Sequence, residues 1–132
     1  MRYMGIDYGL KKIGVAVSDE NAQMAFPKAV IVNDKNLIGE IEKICKNDNI
    51  GAIVLSESQN KNGKPNVIMG KITEFKKILE NELGLPVFFQ NESFTTVEAR
   101  RYNDIENADA SAAALILQRY LEQLTTNNYF HD

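Results

Sequence analysis

Three acidic residues in this chain stand just beyond short apolar runs, where a sheet with crossover helices presents its chemistry. Asp7 closes the run from Arg2, in the triplet Asp7-Tyr8-Gly9. Glu92 follows the run Val87-Phe88-Phe89, within Asn91-Glu92-Ser93. Asp109 leads Ala113, Ile116, Leu117 and Tyr120 at helical spacing, which sets its carboxyl on the stripe that faces the sheet. Each has a plainer reading: Asp7 as a turn former bonding a nearby backbone N–H, Glu92 as a solvated loop residue, Asp109 as a helix N-cap. For Asp109 the two readings are compatible, because the dipole at a helix N-terminus favours the ionised form. Three carboxylates brought together would repel one another unless cations were bound, and hard oxygen ligands select Mg²⁺ or Mn²⁺. One or two such ions can activate a water and stabilise the leaving oxygen in an in-line attack on a phosphodiester. Competing chemistries lack their parts. The one histidine, His131, is the penultimate residue, better suited to a solvated end than to a triad, and Cys/His pairs for zinc are absent.

The elements that must position these acids can be read from hydrophobic period. Arg2 to Asp7, Ile13 to Ser18 and Lys28 to Val32 read as three strands of an opening meander, with Gly9 and Gly14 bracketing the first turn. Pro27 bars an unbroken backward extension of the third strand. A helix follows from Asn36 to about Asn47, with Leu37, Ile41, Ile44 and Cys45 on its apolar stripe, where Cys45 serves as a small core residue. Ala52 to Leu55 is a continuous apolar run typical of a strand covered on both faces. After the polar loop comes a helix from Asn66 to Leu83, then the strand Val87 to Phe89, a short helix from about Thr96 to Arg101 and a last helix from about Asp109 to Leu124. Three meander strands followed by two crossover units predict an α/β fold on a five-stranded mixed sheet, order 3-2-1-4-5. One domain over 1–125 is expected, with 126–132 as a frayed tail.

Composition sets the outer bounds. With 132 residues, 44% hydrophobic and 25% charged, the chain matches an ordinary globular domain and excludes a disordered or fibrous one. A net charge of -3 gives no global basic field, so a polyanion site must be local. Lys11, Lys12, Lys61, Lys64, Arg100 and Arg101 lie in or near the loops expected around the acids and could hold a phosphate backbone, or form a solvated surface. The single Cys45, the early charge at Asp7 and the lack of a long apolar stretch suggest a cytoplasmic protein without a membrane span.

The same residues carry a family resemblance. Ile6-Asp7-Tyr8-Gly9-Leu10-Lys11-Lys12-Ile13-Gly14-Val15-Ala16-Val17-Ser18-Asp19, then Glu92-Ser93-Phe94-Thr95-Thr96-Val97-Glu98-Ala99-Arg100, then the segment from Asp109 to Gln118, resemble the three signatures of the YqgF (RuvX) family, in order and at suitable spacing. The resemblance, covering about Tyr3 to Leu124, implies a ribonuclease H-like fold related to the RuvC resolvases. It also implies Mg²⁺ or Mn²⁺ dependence and assignment as a nuclease maturing the 5′ end of 16S ribosomal RNA, with Asp7, Glu92 and Asp109 in the positions of the catalytic acids. The implied substrate is structured RNA or branched DNA, handled by a monomer or weak homodimer.

The chain departs from the family pattern at several points. Leu55-Ser56-Glu57-Ser58 stands where the family usually has Val-Gly-Leu-Pro, and Asn91-Glu92-Ser93 stands for Asp-Glu-Arg. The segment from Tyr102 to Ala108 is shorter and less basic than usual. Glu57 competes with Glu92 for the third ligand position, because in ribonuclease H-like sheets the strand ending at Leu55 lies beside the first. Two other classes remain: a Holliday junction resolvase-like DNA endonuclease, and an inactive scaffold that binds RNA or protein. A lobe of an actin-like ATPase would share the Asp-x-Gly turn, but such enzymes close two lobes around a nucleotide.

Overall fold

The computed structural model describes residues 1–57, 67–91 and 109–130. Elements run in the order β1 (Arg2–Asp7), β2 (Lys12–Ser18), β3 (Ala25–Val32), α1 (Leu37–Asn47), β4 (Ile50–Glu57), α2 (Val67–Leu83), β5 (Val87–Asn91) and α3 (Ala110–Phe130). The strands form one five-stranded sheet in the order β3-β2-β1-β4-β5, as the meander and the two crossovers require. β1 pairs antiparallel with β2 and parallel with β4, and β5 extends the sheet parallel to β4. The expected helix at 96–101 lies outside the described residues, as does His131.

Alternation along the strands divides the core into two layers. Met4, Ile6, Ile13, Val15, Ile53 and Leu55 point to one face, where Leu37, Ile41 and Cys45 of α1 and Ile72, Phe75 and Leu79 of α2 cover them. On the other face Ala16 and Val54 meet Ala112, Ala113, Ile116, Leu117 and Leu121 of α3. β4 is therefore covered on both sides, which accounts for its unbroken apolar run. The α3 face is lined by small residues, and a Cβ on Gly5 would come within 2.7 Å of Leu117 Cβ and 2.9 Å of the Ala113 carbonyl. Glycine here is a packing requirement, since it lets helix and sheet approach more closely than any side chain permits.

Two boundaries differ from the sequence reading by three residues or more. β3 begins at Ala25 and carries Pro27 within it. This is tolerated because β3 is an edge strand and its register slips there: Val15 pairs with Ala29 and Ala16 with Pro27, leaving Lys28 as the extra residue of a bulge. The second difference is at the end of α3, which continues to Phe130 through residues expected to fray. Leu121 is buried in the core, and the Thr125 hydroxyl donates to the Leu121 carbonyl at 3.1 Å, so the last turns grow from a packed base. Farther back on the same helix, Gln118 ties α3 to the β2–β3 hairpin. Its Oε1 accepts the Ala25 N–H at 2.9 Å and its Nε2 donates to the Gln23 carbonyl at 3.0 Å.

Cys45 is buried, as its place on the apolar stripe requires. Burial, reinforced by the charges of Glu42 and Asp48, pushes its thiol up to about 11. The folded state thus holds the proton that an unfolded thiol releases near 9.0, so this group's contribution to stability is present below that pH and is lost as pH rises towards 11. The thiol of the folded protein is expected to resist an aromatic disulfide reagent at pH 8 and to react fully in urea. Rapid labelling without denaturant would contradict this packing.

Candidate active site

The site is assembled at the C-terminal end of β1. Asp7 is 1% exposed although it carries a carboxyl group. Gly5, two residues earlier, faces α3, and strand alternation sends the Asp7 side chain to that same face. Directly across the antiparallel ladder, Asp7 pairs with Gly14. An ideal Cβ on Gly14 would collide with the carbonyl group of Asp109 and come within 2.9 Å of the Ala110 amide nitrogen. The start of α3 is thus seated on the residue opposite Asp7, and Asp7 and Asp109, separated by most of the sequence, share one end of one face. α3 runs back along the sheet from there, with its Tyr120 ring 5.9 Å from that of Tyr3 near the start of β1.

Asp109 is half-buried and caps the helix it precedes. Its Oδ1 accepts the Ala112 N–H at 2.8 Å, and its carbonyl accepts the Ala113 N–H at 3.2 Å. The cap reading of Asp109 therefore holds, and the same residue begins the helix seated on Gly14. Capping fixes the carboxylate in orientation.

The turn after Asp7 is held from both sides. Asn33, at the end of β3, donates its backbone N–H to the Lys11 carbonyl at 2.8 Å and its Nδ2 to the Gly9 carbonyl at 2.9 Å. Tyr8 is buried against α2, its ring 5.2 Å from that of Phe75. Sequence reasoning missed Asn33, although a polar residue just past a strand end that faces a glycine-containing turn is the signal that could have found it. Lys11 and Lys12 are exposed on this clamped turn, and Lys12 shares the strand face of Gly14. Lys61, Lys64, Arg100 and Arg101 lie outside the described residues, as does Glu92.

Glu57 and Ser56 occupy the end of β4. Glu57 follows Leu55 by two residues, so its register position belongs to the α1 and α2 face, opposite that of Asp7. Ser56 follows Val54 and belongs to the α3 face, as does Gln90, its partner on β5. Gly14, Asp7, Ser56 and Gln90 thus form a row across four neighbouring strands. Ser56 and Gln90 are both buried, and the Ser56 hydroxyl has no hydrogen-bond partner among the described residues.

For a divalent ion, the described residues supply two carboxylates, Asp7 and Asp109, on one face. No group of three His, Cys, Asp or Glu side chains is gathered among them. The donor set still fits a hard cation: oxygen ligands only, one of them a buried acid, beside a buried hydroxyl without a partner. Such an ion would also offset the cost of burying the Asp7 charge. No helix among the described residues is long and apolar enough to cross a membrane.

Comparison with known proteins bears on the family and the fold. The model of a family described as "RuvX: Holliday junction resolvase" matches residues 1–123. A protein of Sulfurihydrogenibium sp. named as a candidate pre-16S rRNA nuclease is 32% identical, the match covering 96% of this chain and 94% of that one. A Clostridium tetani protein with the same name is 37% identical, over 94% of this chain and 98% of its own. Among solved structures, Thermus thermophilus RuvC in complex with a Holliday junction substrate aligns with a TM-score of 0.60 at 16% identity, covering 95% of this chain and 96% of that one. The fowlpox virus resolvase bound to junction DNA aligns with a TM-score of 0.55 at 16% identity, over 94% and 99% of the two chains. These structural likenesses establish a shared fold.

The contact at Gly14 is open to a direct test. Gly14→Ala puts a methyl group into helix backbone, which cannot swing aside as a side-chain tip would, so the start of α3 must shift. A loss of about 3 kcal/mol or more is expected in urea unfolding. Gly39→Ala, on α1 where a Cβ meets nothing within 4 Å, is expected to be neutral or stabilising by up to about 1 kcal/mol. Equal effects of the two substitutions would remove Gly14 from the architecture of the site.

Proposed function

Because the chain belongs to the RuvX family, we propose that it is a divalent-metal-dependent nuclease hydrolysing phosphodiester bonds of structured nucleic acid, with precursor 16S ribosomal RNA as its substrate. The observation that carries this reading is the seating of Asp109 on Gly14, directly across the ladder from Asp7. It gives a reason for a buried acid at the end of a central strand that turn formation alone does not supply. The names carried by the relatives, candidate pre-16S rRNA nucleases, support ribosomal RNA over branched DNA.

In this reading Asp7 and Asp109 are ligands of Mg²⁺ or Mn²⁺, and Glu92 completes the set. The strand position of Glu57, on the face opposite that of Asp7, supports Glu92 over it as the third ligand. When bound, the metal supplies an activated water and neutralises charge on the leaving oxygen. The rest is done by the chain itself. Asp7 holds its carboxylate rigidly at a strand end, and the helix cap fixes the orientation of Asp109, so little reorganisation is needed on the way to the transition state. Lys11 and Lys12, presented on the turn that Asn33 and Tyr8 clamp, attract and register the phosphate backbone. Lys61, Lys64, Arg100 and Arg101 are assigned the same phosphate-binding role in this reading. The protein works in the cytoplasm, where its RNA substrate is found.

Asp7→Asn separates the chemical role from the structural one, since the amide keeps the shape and loses the charge. Single-turnover cleavage of a precursor ribosomal RNA fragment in Mg²⁺ or Mn²⁺ is expected to fall by a factor of about 10³ or more. RNA binding is expected to persist, with a melting temperature at or above wild type because a buried charge has gone. Glu92→Gln is expected to behave likewise and Glu57→Gln to keep most activity. If wild type binds RNA but cuts neither RNA nor a four-way DNA junction, the protein is a binding module; loss of activity in Glu57→Gln alone would transfer the third ligand to that residue.

A further inference from the structure

The Ser56 hydroxyl is a costly feature. It is 0% exposed, lies within an otherwise regular parallel ladder, and has no hydrogen-bond partner among the described residues. A buried hydroxyl normally finds a partner, because leaving one unpaired forfeits its hydration without return. Elsewhere on the sheet a serine in a comparable position is satisfied: Ser18, also buried, accepts the Tyr3 N–H at 2.9 Å and donates to the Asp19 carbonyl at 2.9 Å. Ser56, the serine left without a partner among the described residues, falls beside Asp7. β1 and β4 pair as Ile6 with Leu55, so the next step along both strands puts Ser56 beside Asp7, on the same face and one strand spacing away.

We propose that Ser56 is a positioning residue of the cation site, its hydroxyl hydrogen-bonding an oxygen in the hydration shell of the ion that Asp7 holds. The inference rests on the nuclease reading above and deepens it. Mg²⁺ in particular gives up its waters reluctantly and is held as a partly hydrated ion. A fixed hydroxyl next to the first ligand orients one of those waters, as outer-shell partners do in metal sites generally. The apparent waste is then local to the metal-free protein, and the missing partner arrives with the ion. Gln90, buried one strand farther along the row, makes among the described residues a single long contact of 3.4 Å from Nε2 to the Asn91 carbonyl. It lies too far along the row to stand in for the hydroxyl beside Asp7.

Mn²⁺ binding to the full-length protein, measured by calorimetry and by the rise in melting temperature that the ion produces, tests this without reference to activity. Ser56→Ala and Ser56→Gly both delete the hydroxyl but differ in backbone freedom. Ser56→Ala is expected to melt at or above wild type without metal, and Ser56→Gly below it. Both are expected to weaken Mn²⁺ binding by a similar factor of about 10. A structural role would instead make affinity follow stability, with Ser56→Ala binding as wild type does, and that result would overturn the proposal. Asp7→Asn distinguishes the two levels of argument. If it abolishes Mn²⁺ binding while both Ser56 variants bind normally, only the role of Ser56 falls; if wild type and Asp7→Asn alike bind no Mn²⁺, the metal-dependent reading falls with it.

Discussion

The contact between the start of α3 and Gly14 is the constraint on which the rest of the molecule depends. Helix backbone lies against strand backbone there with no side chain between, so the position of α3 is fixed at its first residue. The close approach continues at Gly5, under Ala113 and Leu117. A helix held this near the sheet at its start carries small residues there, Ala112 and Ala113, and larger ones, Ile116, Leu117 and Leu121, farther along. A larger residue at Gly14 would move the whole helix and with it Asp109.

The two faces of the sheet follow different rules as a result. The face under α1 and α2 is filled with large side chains, among them Met4, Ile6, Ile13, Ile53 and Leu55, and provides most of the apolar burial. On the α3 face the sheet itself presents small residues, Ala16 and Val54 among them, and a polar row that a core built for stability alone would omit. One face holds the sheet rigid while the other tolerates a buried acid and an unsatisfied hydroxyl. Precise placement of strand ends on a stiff sheet is what a site assembled from side chains of several strands requires.

Much of this was legible in the sequence. Strand order followed from the meander and two crossovers, and the inward face of Asp109 followed from the spacing of Ala113, Ile116 and Leu117. What stayed hidden has identifiable causes. Pro27 reads as a barrier because a proline removes a ladder donor, and only the edge position of β3 and the bulge at Lys28 make it harmless. The polar residues after Leu124 hide a helix whose support comes from Leu121 below them. The run Ala52 to Leu55 conceals its own alternation, because a strand buried on both faces shows no polar side. The opposite orientations of Ser56 and Glu57 could therefore not be read from the pattern. Gly14 looked like a turn residue, since no local signal reveals that a helix from the far end of the chain rests on it.

That long-range seating also fixes when the site can exist. β1 and β2 can pair as soon as they are made, since a hairpin needs only near neighbours. Asp109 joins Asp7 only after almost all the intervening chain has been synthesised and the sheet it docks on has formed, a late closure of the kind that non-local contacts impose. A chain still emerging from the ribosome carries Asp7 but not its partner. Assembly order thus keeps Asp7 and Asp109 apart throughout most of translation and unites them only in the finished fold.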